Sequence, residues 1–179
     1  MLQDEEYLIK SSTSKLNIKN MHSLIYQIGT KPFSGENQLD PDAIADNPKN
    51  ANLLDYAYDV SEKVRAINIR ILVETILPMD MFDIDADNNL IYKGGFKSWR
   101  EKYYESVMKC TNNLTPATIM GEGRKLLALN KTILNPLKTS VLFECGNGIV
   151  EQSLAVMSIV EHLKIGEVLY IGSVLGYHD

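Results

Sequence analysis

The sequence predicts a mainly α fold, a helical bundle around one long central helix, with a small β-hairpin and a short C-terminal strand-helix-strand unit. Three observations carry this reading. Apolar side chains recur at Leu53, Ala57, Val60, Val64, Ile67 and Ile71, steps of four and three that keep one face of a helix over 53–77 apolar. Toward its C-terminal end Ile69, Leu72, Val73 and Ile76 add a second apolar face, as expected for a helix at the centre of a bundle or inside an interface. Between residues 82 and 93, by contrast, apolar and polar residues alternate around an Asp87-Asn88-Asn89 turn, the signature of a hairpin.

Taken in order, residues 14–28 read as an amphipathic helix with Met21, Leu24, Ile25 and Ile28 on one side and Gly29 placed to stop it. Residues 30–50 are rich in Pro, Gly, Asn and Asp and form an extended polar arm, with Asp40-Pro41 opening at most a short helix over 42–45. A loop of that length is usually functional or wrapped over something. The chain therefore divides into an N-terminal helix and arm (1–50) and a mainly helical core domain (51–179). Asn52, with Asp55 three residues on, caps the central helix, and Pro78 ends it. Ser98-Trp99-Arg100-Glu101 is a capping box opening a helix through Tyr103 and Val107. Thr115-Pro116 starts another that runs through Leu126, Leu127 and Leu129, weakened in the middle by Gly121 and Gly123. Residues 140–143 read as a strand, Gly146-Asn147-Gly148 as a turn, 149–163 as a helix closed by Gly166, and 168–175 as a strand.

Length and composition fit an ordinary globular chain: 179 residues, 45% apolar and 23% charged. Cys110 and Cys145 form no CxxC or other metal pair and read as reduced, intracellular thiols. The acidic start, Asp4-Glu5-Glu6, lacks the positive charge and apolar run of an export signal, so an intracellular, non-secreted protein is expected. The longest uncharged stretch, 110–121, is 12 residues, far short of a membrane span. Charge is unevenly distributed, with a net −7 over 1–92, +6 over 93–138 and −4 over 139–179. A basic centre thus lies between acidic ends.

Few residues point to chemistry. Asp83, Asp85 and Asp87 stand at alternate positions, as oxygen ligands of a calcium loop do, but Asn88 replaces the required glycine and Gly94 the closing glutamate. Gly146 and Gly148, between a strand and a helix, are similar to the glycine-rich turns that hold nucleotides or S-adenosylmethionine, although Glu151 occupies the third fingerprint position. Gly121-Glu122-Gly123-Arg124-Lys125 lacks the spacing of a phosphate loop. Ser173 lacks the flanking glycines of a nucleophile elbow, and His22, His162 and His178 are far apart with no metal spacing. Tyr92, Lys93, Phe96, Lys97, Trp99, Arg100, Lys102 and Tyr103 mix aromatic and basic side chains as single-strand binders do, yet Trp99 and Tyr103 fall at helix spacing and suit a core equally.

No catalytic residue, metal site or cofactor is indicated, and the question of an enzyme stays open with the balance against it. The leading expectation is a non-enzymatic structural subunit of a larger homo- or hetero-oligomer, binding protein partners through Ile69, Leu72, Val73, Ile76, Lys97, Arg100 and Lys102. A connector, neck or tail component of a virus particle fits that description, as do many cellular complexes. Two alternatives stand beside it. One is a small nucleotide- or S-adenosylmethionine-binding enzyme domain using Gly146 and Gly148, with Glu167 or Tyr170 lining the same pocket. The other is a nucleic-acid-binding accessory protein using residues 93–138. No membrane partner is expected.

Overall fold

A seven-stranded mixed sheet, with helices on one face and the polar arm on the other, organises the molecule and replaces the expected helical bundle. The computed structural model describes residues 23–51, 53–121 and 123–178. Its strands are β1 (Leu24–Gly29), β2 (Tyr56–Asp59), β3 (Phe82–Ile84), β4 (Leu90–Tyr92), β5 (Leu142–Glu144), β6 (Val150–Glu151) and β7 (Val168–His178). They lie in the order β3-β4-β7-β1-β5-β6, and β2 pairs with the C-terminal half of β7 on the side that β4 takes in its N-terminal half. Only β1 and β5 run parallel, Ile25 opposite Leu142 and Gln27 opposite Glu144.

The largest correction falls on residues 24–28, where a helix was expected. Leu24-Ile25-Tyr26-Gln27-Ile28 is the central strand, enclosed on both faces, so every position is buried and the run loses the alternation that marks a half-buried strand. A continuous apolar run fits the side of a helix equally well. The remainder of that expected helix, 14–22, lies outside the described residues.

The expected 53–77 helix is also corrected. Tyr56-Ala57-Tyr58-Asp59 alternates aromatic and small side chains and forms β2, while Ser61 accepts a hydrogen bond from the Val64 amide at 3.4 Å and caps a shorter helix, α2 (Glu62–Ile71). The expected Asn52 cap lies outside the described residues. One wide π turn (Leu72–Ile76) then carries the chain to Leu77. The inward face is Ile69, Leu72 and Ile76, whereas Val64 and Ile67, central to the expected stripe, are exposed. Arg65 fixes this rotation: its guanidinium donates to the carbonyls of Ile171 and Gly172 in β7. From the other side, the Tyr26 hydroxyl donates to the Asn68 carbonyl at 2.9 Å.

The hairpin appears as expected. Phe82 pairs with Tyr92 and Ile84 with Leu90, and Asp85 Oδ1 accepts from the amides of Asp87 and Asn89 while Asn88 takes the left-handed conformation. Downstream lie α3 (Phe96–Asn112), α4 (Pro116–Gly121), α5 (Gly123–Leu134) and α6 (Leu154–Val160). Helix α3 begins at Gly95, which has a φ of 92°, so Ser98 lies inside the helix and does not open it. Thr115 and Thr118 cap α4 reciprocally through their hydroxyls and amides. In the C-terminal unit, β1 lies between β5 and β7, so its strands are central to the sheet and not a minor addition.

The polar arm is held by the chain itself. Short helix α1 (Pro41–Ala45) brings Ile44 onto the second sheet face, where it joins Ile25, Leu54, Leu142, Leu175 and Tyr177. Helices α2 and α6 cover the Tyr26–Phe143 face, and α1 lies against the other.

Candidate interaction surface

Two places merit a functional reading: the end of the sheet where β1 and β5 run parallel, and the helical arm α3–α5. At the first, the carboxyl ends of the two strands open onto a groove of about 470 Å³ between the 27–39 segment and the Glu144–Gly148 turn. In open α/β sheets ligands bind at this kind of edge. Here, however, the turn is already filled. Glu144 is 1% exposed, and its Oε1 accepts from the amides of Gly146, Asn147 and Gly148 at 2.7, 2.6 and 2.8 Å. The amide nest that would cradle an outside anion cradles the chain's own carboxylate. Ile149 donates to Asn147 Oδ1, and Asn47 and Asn50 both donate to the Gly148 carbonyl, so the turn is tied back to the arm.

Gln27 stands beside Glu144 on the same sheet face. Its Nε2 donates to the Asn37 carbonyl, and its Oε1 accepts from the amides of Leu39 and Ser173. Oε2 of Glu144 is buried without a hydrogen-bond partner. Cys145 follows, half-buried, its thiol pushed up to about 12 by burial and by the adjacent Glu144 and Glu151 charges, which leaves it a poor nucleophile. Gly146 and Gly148 do not share a pocket with Glu167 or Tyr170. Those two line a separate groove of about 640 Å³ with Ser158 and His162, and Thr30 borders both.

The second place has a different character. Across α3, α4 and α5 no described residue is buried. The arm is rooted where Phe96 and Trp99 pack on the core, and it is braced by a Trp99–Tyr103 ring stack at 5.3 Å and a Tyr103 hydroxyl donating to the Ile133 carbonyl. Beyond that root, Met120 is 89% and Leu127 69% exposed, with Ile119, Leu126 and Leu134 also outward. Several large apolar side chains left exposed on adjoining helices are the kind of surface that partners cover.

The residues singled out from sequence separate accordingly. Ile69, Leu72 and Ile76 lie in the molecule's own core, and Val73 is half-buried against it. Lys97 and Lys102 are exposed on α3, and Arg100 pairs with Glu161 at 2.9 Å while lying over the Phe96 ring. His162 and His178 are both exposed, the latter stacked on Tyr56, and His22 lies outside the described residues. Among the described residues no group of His, Cys, Asp or Glu is arranged to hold a metal ion, and no helix is long and apolar enough to cross a membrane. Sequence reasoning missed Gln27 and Glu144 as anchors, and it missed Met120 and Leu127 as an exposed pair. No local pattern marks Met120 and Leu127 as uncovered, because that depends on what the rest of the chain reaches.

Comparison of the chain with protein-family models, with curated proteins and with solved structures finds no match.

Proposed function

We propose that this chain is a non-enzymatic interaction subunit of a larger assembly, and that the arm α3–α5 is its docking element. The observation that carries the reading is a run of helices, Phe96–Leu134 in extent, with no buried described residue and with Met120 and Leu127 turned to solvent. The helices touch one another without enclosing a described side chain, whereas helix stability normally comes from burying an apolar face. The filled turn at Glu144 supports the same reading from the other side, because the place most like a ligand loop has its amides engaged.

The test is the native size of the particle that carries the chain in extract of the cells producing it. The wild-type chain is expected at two or more times its own 20.1 kDa, and the Leu127→Asp, Met120→Asp variant at the single-chain mass. A wild-type chain found at 20.1 kDa in that extract contradicts the reading.

A further inference from the structure

Resting on the docking reading, we propose that the arm's occupant is the arm of a second copy of this chain, the two lying antiparallel about a two-fold axis, with the basic tip of each arm against the acidic hairpin of the other. Charge complementarity is the argument. Residues 71–92, which end in the β3–β4 hairpin, carry Glu74, Asp80, Asp83, Asp85 and Asp87 and no lysine or arginine. Asp83 is paired with Lys93, and Asp85 is engaged by its own turn, which leaves Glu74, Asp80 and Asp87 exposed. Next to Asp80 in sequence stands Met79 at 84% exposure, and at the open end of the hairpin stands Ile165 at 76%. Backbone bonds hold these neighbours together: Lys93 donates to the Met81 carbonyl and Gly166 to the Tyr92 carbonyl, while Ile165 lies over Gly94.

At the far end of the arm the pattern is the mirror in sign. Ile119 and Met120 are exposed in α4 at the tip, between the last turn of α3, which carries the exposed Lys109, and the first turn of α5, which carries the exposed Arg124. Helix α3 has 17 residues, so its ends are about 25 Å apart, its start following the hairpin at Gly95 and the tip lying at its far end. One chain therefore does not bring its own tip to its own hairpin; a second chain laid antiparallel does so at both ends at once. That arrangement is self-complementary, the commonest form of closed oligomer, and it covers the outward leucines of α5 between the two ends. Opposite charges at the ends set the register, and the apolar side chains between them supply the burial.

The experiment measures the mass of the purified full-length chain by light scattering across a concentration series. Twice the single-chain mass of 20.1 kDa is expected for the wild type. Two variants set the register: a tip reversal, Lys109→Glu with Arg124→Glu, and a hairpin reversal, Asp80→Lys with Asp87→Lys. Each alone is expected at the single-chain mass, because like charges then face each other at both ends. An equimolar mixture is expected to return to the doubled mass, because both ends are again complementary. A wild type that stays at the single mass overturns the proposal, as does a reversal variant that still doubles alone, or a mixture that fails to. If the purified chain is single while the particle in extract is large, the second-copy proposal fails and the docking reading stands. If both are single, both fail.

Discussion

Glu144 and Cys145 are neighbours in sequence with opposite fates in the fold. The carboxylate enters a nest of three amides, whereas the thiol is half-buried against the core with no charge to favour its ionisation. Removing the acceptor leaves three donors aimed at nothing, so Glu144→Ala is expected to lower stability by about 1–3 kcal/mol in chemical denaturation. Glu144→Gln, which keeps an oxygen at Oε1, is expected to lose much less. Equal losses would show that charge, not acceptance, holds the turn. For Cys145 the consequence is alkaline. Its folded form is the neutral thiol, raised from 9.0 to about 12, so its contribution is complete below pH about 9 and is lost as pH rises toward 12. Burial raises the Tyr26 phenol in the same direction, so the two losses overlap. Cys145→Ala is therefore expected to lose less stability than wild type between pH 7.5 and 10.5, measured as the shift in denaturation midpoint. An identical shift in both proteins would contradict the assignment.

The elements show how the 30–50 segment, polar and without periodicity, becomes part of the molecule. Gln27 reaches from the central strand to bind the Asn37 carbonyl and the Leu39 amide, and Gly172 leaves the room it needs, since a Cβ there would overlap Gln27 Oε1. Gln27→Leu is expected to release the arm, read as faster proteolytic cleavage within 31–39 at unchanged cleavage elsewhere; an unchanged pattern would show that the apolar contacts of Ile44 and Leu54 suffice. Legibility followed local chemistry. The hairpin and the start at Thr115-Pro116 were readable because turn residues and caps act within a few positions. Strand β1 was not, because burial on both faces erases its period. The stripe from Leu53 to Ile71 misled because its first members, Leu53 and Ala57, pack on the arm side of the sheet, while Ile71 packs on the other. Glu144 resembled part of a ligand loop because a glycine turn looks the same whether its amides face a phosphate or the chain's own carboxylate. Which helix face lacks cover depends on what the rest of the chain reaches, and no local pattern encodes that.

At the scale of the whole molecule, the sheet and its two covers enclose the core residues of 24–92 and 141–178, including Ile69, Leu72 and Ile76 from the expected central helix, and leave Tyr56, Tyr58, Val64 and Ile67 exposed on β2 and α2. On the basic arm Tyr104, Ile119, Met120, Leu126, Leu127 and Leu134 are exposed as well, and so are Met79 and Ile165 on either side of the hairpin in sequence. Burying apolar helix surface is favourable at about 25 cal/mol per Å² of area removed from water, whereas exposed charge pairs contribute little, so in the proposed pairing the charges set the register and the leucines supply the stability. Amide hydrogen exchange at 116–134, compared between the dilute single chain and the concentrated protein, tests this most directly. Slower exchange across α4 and α5 on concentration, lost in the Leu127→Asp variant, is the predicted result; equally fast exchange in that segment at every concentration and in the native particle would contradict it.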